Sequence, residues 1–246
     1  MISTFDENAL EVALQVKEAN GGQVTVLTVG GPSAIEALHH GMAMGADSAI
    51  LISDPVLNYT TPSTWTEQVE PDPFARAAIL ASAVRKVGDA DLVLCGRQAG
   101  DVELGLVGPF LAEEMKWPCV TLVASVKVQG KQAQVKRVVT DGYEVVGVAT
   151  PFVGTVTSDS SNVPRLASAL KIIAAARRPV LNWKLTDLSL DPNAFGPKTW
   201  RVIIQNATVP QKVERCDIIE GETDDEKAEK LAARLRPQQI GSEDGL

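Results

Sequence analysis

Histidine is nearly missing from this chain: only His39 and His40 occur in 246 residues, and they are neighbours. Adjacent residues on a helix point about 100° apart, so they cannot share a ligand as an i, i+4 pair would. Both are expected on a helix surface or edge. Cysteine is scarce too. Cys95, Cys119 and Cys216 are odd in number, far apart and without a CxxC. That usage suits a reducing compartment and fits neither a disulfide framework nor a zinc site. Metal chemistry and histidine-based acid–base or triad catalysis are therefore poorly supported, and any redox chemistry must be carried by a bound cofactor. No apolar run reaches the roughly 18 residues of a membrane span. The opening MISTFDENAL has neither a basic n-region nor an apolar h-region, so no secretion signal is expected. Basic residues are in deficit: 23 Lys and Arg against 31 Asp and Glu leave a net charge of −8, which argues against nucleic acid as a partner.

What is present is enough for a sizeable core, with 45% hydrophobic residues over one large domain or a domain plus an arm. Thr4 and Glu7 have capping-box spacing, and Leu10, Ala13, Leu14 and Val16 continue a helix that Asn20-Gly21-Gly22 stops. QVTVLTVG (23–30) reads as a strand, AIEALHHGMAM as a helix and SAILIS (48–53) as the next strand. A helix opens at Asp72-Pro73, DLVLC (91–95) is a third strand, and a helix follows over 108–116. Strands alternating with helices predict a doubly wound, mostly parallel α/β sheet. From 119 the period changes to alternating strands with turns at Gly130-Lys131 and Thr140-Asp141-Gly142, an antiparallel meander, and PFVGTVTS (151–158) adds a further strand. Within residues 160–178 a helix is expected with Pro164 as its first residue and Arg177-Arg178 at its end, placing Leu166, Leu170 and Ile173 on one face. Periodicity alone leaves that face open between core and contact surface. Beyond about 181 periodicity fades. The tail carries a second capping box, Thr223 with Glu226, and a narrow Leu231/Leu235 stripe. These features divide the chain into an α/β domain over 1–200 and a C-terminal arm over 201–246.

The link after the third strand reads CGRQAGDVELGLVG (95–108), with glycines at 96, 100, 105 and 108. Glycine is entropically unfavourable, so four of them ask for a reason. Either a ligand approaches bare backbone, or the link turns tightly. In doubly wound sheets ligands sit outside the carboxyl ends of the strands, and this link and Gly30-Gly31 both lie at that edge. The spacing is neither GxGxxG nor GxxxxGK[ST], so no motif names the ligand. Asp101, mid-loop, suits either capping of the loop's own amides or direct ligand contact.

Several ordered blocks resemble the beta subunit of electron transfer flavoprotein. FDENALEVALQVKE resembles the family's first helix; Gly31-Pro32 and Ala43-Met44-Gly45-Ala46-Asp47 match its second block; DLVLCGRQAGD, with Arg97 for the usual lysine, matches the third; Trp117-Pro118 and Thr121 follow. VKRVVTDGYEVVGVATPFVGT (135–155) resembles the diagnostic segment, departing at Thr140 and at Gly154, where a branched aliphatic is usual. The resemblance implies a Rossmann-like, adenine-nucleotide-hydrolase-like fold. It also implies an electron-carrier subunit, not an enzyme with catalytic residues of its own. An alpha subunit would hold most of an FAD site in a heterodimer, and the beta chain would hold AMP or a second FAD. By position, the nucleotide contacts would be Ser3, Thr4, Phe5, Asp6, Gly30, Gly96, Arg97, Gln98, Ala99, Gly100, Asp101, Val102, Glu103, Leu104, Gly105, Leu106 and Val107. Implied partners are an acyl-CoA or other flavin dehydrogenase, as in fatty acid β-oxidation, and a downstream quinone reductase or ferredoxin. Implied locations are the cytoplasm or, in a eukaryote, the mitochondrial matrix. Leu106 stands where polar residues commonly help hold the nucleotide, and gapless alignment puts Ala169, with Leu170 next to it, where the family presents an apolar anchor to its dehydrogenase. The family begins with a further strand and hairpin, and this sequence opens at the helix after them: either it is a fragment or starts from a late start codon, or the protein lacks an element its sheet would need. The alternative function is a stand-alone adenine-nucleotide-binding domain of stress-protein or pyrophosphatase type.

Overall fold

The computed structural model describes residues 2–57, 72–100, 103–196, 199, 201–202 and 218–235. The chain divides into two units, Met1–Ala207 and Thr208–Leu246. In the first, α1 (Thr4–Asn20), β1 (Thr25–Val29), α2 (Ile35–Met44), β2 (Ser48–Ile52), α3 (Pro73–Val87), β3 (Leu92–Gly96) and α4 (Val107–Met115) alternate as the hydrophobic pattern predicts. Then follow β4 (Cys119–Gln129), β5 (Gln132–Val139), β6 (Gly142–Ala149), β7 (Phe152–Val156), a short α5 (Ala169–Ala175) and β8 (Leu181–Trp183). In the second unit lies α6 (Asp224–Leu235).

The mostly parallel architecture and the antiparallel meander are both present, divided between two hydrogen-bonded sheets. One has the order β1-β2-β8, all parallel; the other runs β3-β7-β4-β5-β6. In the second, β7 lies parallel between β3 and β4, and β4, β5 and β6 form the meander. Gly154 of β7 is explained here: a Cβ on it would lie 2.7 Å from Leu94 Cδ2, so the Leu94 side chain occupies the space a branched residue would need.

Two helices join the sheets. On α1, Ala9 and Val12 pack with Val123, Val135 and Phe152, whereas Leu10 and Leu14 pack with α2 and Leu51. On α3, Ile79 and Ala83 pack with Ile50 and Ile52, whereas Ala77 and Ala81 pack with Leu111, Ala112 and Val153. Each helix thus carries two i, i+4 or i, i+3 apolar rows, one per sheet. Phe152 and Val153 are successive strand residues and point to opposite faces, so α1 covers one face of the larger sheet and α3 with α4 the other. Among the described residues β1 pairs only with β2 and β3 only with β7, so both are edge strands.

Two expectations from the sequence are corrected. The N-cap of α1 is Ser3, not Thr4, and it makes no side-chain cap bond; Glu7 instead reaches His40 Nε2 at 3.0 Å. Residues 160–168 are not helical, and Pro164 opens no helix: α5 starts at Ala169, with Ser168 Oγ accepting from Lys171 N. Leu166 therefore shares no helix face with Leu170 and Ile173.

Candidate functional site

Cys95 and Gly96 end β3, and as successive strand residues they face opposite ways. A helix N-terminus meets each of them. On one face the first turn of α1 abuts Gly96, where a Cβ would come within 2.8 Å of Phe5 Cβ and 2.9 Å of Asp6 N. On the other the first turn of α4 abuts Cys95: a Cβ at Gly108 would lie 3.0 Å from Cys95 Sγ and 2.3 Å from Thr155 Cγ2. Neither helix is capped by a side chain; Ser3 and Leu106, the two N-cap residues, make no such bond. Two sets of unpaired amide N–H groups and two positive dipole ends therefore flank one strand end, an arrangement suited to an anion.

The loop is fastened to α1. Asp6 Oδ1 accepts from Gly96 N at 2.7 Å, and Arg97 N donates to Val156 O at 2.8 Å. The Arg97 guanidinium lies over the Phe5 ring, 4.5 Å from its centroid. Burial pushes the Asp6 carboxyl above its ordinary pKa, against the opposing pull of the Gly96 N–H. Two buried polar atoms here have no hydrogen-bond partner, Ser3 Oγ and Arg97 Nε. One is a hydroxyl at an uncapped helix end and the other belongs to a cation, and both are donors. Such orphans are rare and ask for an acceptor. The residues present thus suit an anionic group better than a metal ion. Among the described residues no cluster of His, Cys, Asp and Glu could hold a metal ion. Burial pushes the Cys95 thiol up to about 12, which keeps it protonated at neutral pH.

Of the residues singled out from the sequence, the structure brings Ser3, Thr4, Phe5, Asp6, Gly96 and Arg97 together. Gln98, Ala99 and Gly100 continue the loop, and Gly100 faces open space. Glu103 and Gly105 both have positive φ, 55° and 66°, Leu104 is exposed, and Leu106 and Val107 start α4. Gly30 closes β1, its N–H bonded to Ile52 O at 3.1 Å, with no bond to the Asp6–Arg97 cluster. Asp101 and Val102 lie outside the described residues. The glycines prove to differ in purpose: Gly96 and Gly108 permit close packing, and Gly105 permits a turn. Thr155 and Val156 of β7, which help shape this strand end, carried no signal in the sequence because they read as ordinary strand residues.

A second feature lies between β7 and α5. Val163, Leu166 and Leu170 are 68%, 97% and 80% exposed, and Ala169, Ile172 and Ile173 are exposed beside them. Contiguous apolar exposure of this kind marks a contact surface.

A family model described as "Electron transfer flavoprotein domain" matches residues 1–188. The chain belongs to the electron transfer flavoprotein family. It is 37% identical to the caffeyl-CoA reductase-Etf complex subunit CarD of Acetobacterium woodii over 241 residues, covering 98% of this chain and 87% of that protein. It is 34% identical, over the same shares, to the electron transfer flavoprotein subunit beta of Thermoanaerobacterium thermosaccharolyticum. Against the beta subunit of Bacillus subtilis it is 32% identical over 97% of this chain and 86% of that one. The chain is an electron-transfer subunit of the beta type, and the stand-alone nucleotide-binding reading gives way to it. No helix among the described residues is long and apolar enough to cross a membrane.

Proposed function

We propose that this chain pairs with an alpha subunit that holds FAD, and itself holds an adenine nucleotide by its phosphate at the carboxyl end of β3. The observation that carries the nucleotide is the pair of uncapped helix ends flanking Gly96, with Ser3 Oγ and Arg97 Nε buried and unpartnered between α1 and the loop. Thr4 and Phe5 would supply amide N–H groups, and Arg97 a cation held in place by the Phe5 ring. The flavin, when bound, supplies the one- and two-electron chemistry. This chain contributes the nucleotide site, a shelf for the partner subunit and the exposed segment 163–173 as the docking surface for a flavin dehydrogenase, with Leu170 and its neighbour Ala169 at the anchor position. A quinone reductase or a ferredoxin is the downstream acceptor. No side chain here has to move a proton, in keeping with the poverty of histidine. The relatives' names include complexes with caffeyl-CoA reductase and acryloyl-CoA reductase, which supports a CoA-thioester dehydrogenase or reductase as the electron-exchange partner. The test is to co-produce the chain with its alpha subunit, denature the purified complex and separate the released nucleotides. AMP or a second FAD, stoichiometric with the complex and additional to one FAD, is expected. A single FAD and no other nucleotide would overturn the site.

A further inference from the structure

An exposed apolar segment needs something to stop it collapsing onto the nearest core. Residues 158–168 have no regular structure of their own, yet their polar side chains and backbone are bonded repeatedly to one stripe of α1. Asn8, Glu11, Gln15 and Glu18 recur at spacings of three and four residues, so they share one face of that helix. Asn8 Nδ2 donates to Asn162 O at 2.9 Å and to Asn162 Oδ1 at 3.1 Å, and Asn8 Oδ1 accepts from Ser158 Oγ at 2.8 Å. Gln15 Nε2 donates to Ser161 O at 3.1 Å. Asn162 is fully buried, and its Nδ2 donates to Ala124 O and Thr157 O, both at 2.9 Å. Three residues on, Arg165 grips two carboxylates. Its Nε and Nη2 donate to the two Glu11 oxygens at 2.7 and 2.9 Å, and Nη1 and Nη2 donate to Glu18.

We infer that this polar stripe is a rack that positions the docking segment, and that Arg165 is its positioning residue. The inference rests on the docking reading given above for residues 163–173. Its chemistry is specific. Only a planar guanidinium presents five donors in a fixed fork, able to meet two carboxylates at once. Val163 lies between the two gripped residues and Leu166 follows the second, and both are exposed. With Asn162 buried below and Arg165 held at the side, neither apolar side chain can turn inward without breaking the grip. The segment enters α5 already held in place, so binding a partner does not have to order it, and lower ordering entropy favours affinity.

The test uses the complex of this chain with its alpha subunit and a flavin dehydrogenase that reduces the unmodified complex. Two variants separate positioning from folding: Arg165→Gln, and Arg165→Gln with Glu11→Gln, which leaves no buried unpaired carboxylate. Hydrogen exchange by mass spectrometry should show amides 158–168 of both exchanging about tenfold or more faster, while α1 and β4 stay protected. KM for the complex should rise about tenfold with kcat within twofold, because only binding is affected. Arg165→Lys, which keeps the charge but not the planar fork, should recover part of the loss. FAD content should not change. Unchanged exchange at 158–168 in the double variant would overturn the rack whatever the kinetics do. Faster exchange with an unchanged KM would overturn Arg165 as a positioning residue for docking. Leu170→Ala distinguishes the premise: if it leaves KM unchanged while Arg165→Gln still frees the segment, the docking reading fails and the rack survives as structure.

Discussion

Asp6 shows how one carboxyl can serve the fold against its own solvation. Its oxygen satisfies Gly96 N–H, but burial raises its pKa. A carboxyl with a raised folded pKa keeps its proton to higher pH folded than unfolded, so this group's contribution to stability falls as pH rises from the ordinary aspartate value through the raised one. At neutral pH the charge is a burden. Asp6→Asn keeps an acceptor for Gly96 and removes the charge, so its melting temperature at pH 7 should equal or exceed that of the unmodified protein. Asp6→Ala, which orphans a partly buried N–H, should lose roughly 1–3 kcal/mol. Calorimetry of the two variants between pH 4 and 8 checks both the order and the slope. Gly108 belongs to the same scale. Its glycine is required by Thr155, so Gly108→Val should destabilise the fold by overpacking, roughly 1–3 kcal/mol. Gly108→Ala should recover part of its own loss when combined with Thr155→Ser, which removes the offending Cγ2. Equal melting temperatures for Gly108→Ala with and without Thr155→Ser would refute this. That a backbone contact occurs in the loop was legible from four glycines. Which glycine answers to which neighbour was not, because the deciding atoms sit on α1 for Gly96 and on β7 for Gly108, both remote in sequence.

Among the elements, those with strong period and local punctuation were legible: α1, α3 with its Asp72-Pro73 start, and the turns of the meander. Segment 160–178 was not. Its composition favours a helix from Pro164, but the bonds of Asn162 and Arg165 to α1 and β4 keep it non-helical as far as Ser168, and tertiary bonding outweighs propensity. β8 was missed for the opposite reason. Its three residues are too short to show a period, and pairing to β2 alone makes them a strand. The exposure of Leu170 turns an open question into a prediction. Leu170→Ala should leave melting temperature and flavin content nearly unchanged and slow dehydrogenase-coupled flavin reduction, since a single anchor commonly carries about 2 kcal/mol of an interface. A stability loss of roughly 2–5 kcal/mol, the signature of a core cavity, would retire it as an anchor. The rack predicts an acid limit. Hydrogen bonding to Arg165 holds the Glu11 carboxyl below its ordinary pKa, and a depressed folded pKa gives stability present above the ordinary glutamate value, about 4.3, and lost as pH falls through the folded one. Thermal melts should therefore decline more steeply below about pH 4.5 in the unmodified complex than in the doubly substituted Arg165→Gln, Glu11→Gln complex. Parallel acid limbs would contradict the assignment.

At the scale of the whole molecule, the alternation of strands and helices announced an α/β architecture but not its division into two sheets, because which strands are neighbours depends on long-range packing through α1 and α3. That division bears on how the chain behaves alone. Among the described residues β1 and β3, with the apolar sequences TVLTV and LVLCG, each keep an open edge, and β6 is an edge strand with Tyr143 and Val145 exposed. Open apolar strand edges recruit other strands. Leu166, Leu170, Ile172 and Ile173 add exposed apolar area, and in the second unit α6 has no buried residue while Leu231 and Leu235 are exposed. An amphipathic helix with an unburied stripe gains stability only by docking on something. We therefore expect the chain produced by itself to be colourless and to self-associate or precipitate, and the chain co-produced with its alpha subunit to give a yellow 1:1 complex. Deleting residues 221–246 should weaken that complex, seen as dissociation on dilution in analytical ultracentrifugation, without lowering the melting temperature of the complex at concentrations that keep it associated. The deletion separates a docking arm from a stabilising one: a helix that served the fold of this chain would take melting temperature with it. A soluble monomer that carries stoichiometric FAD without any alpha subunit would defeat the expectation outright, since its open edges and exposed leucines would then need no partner.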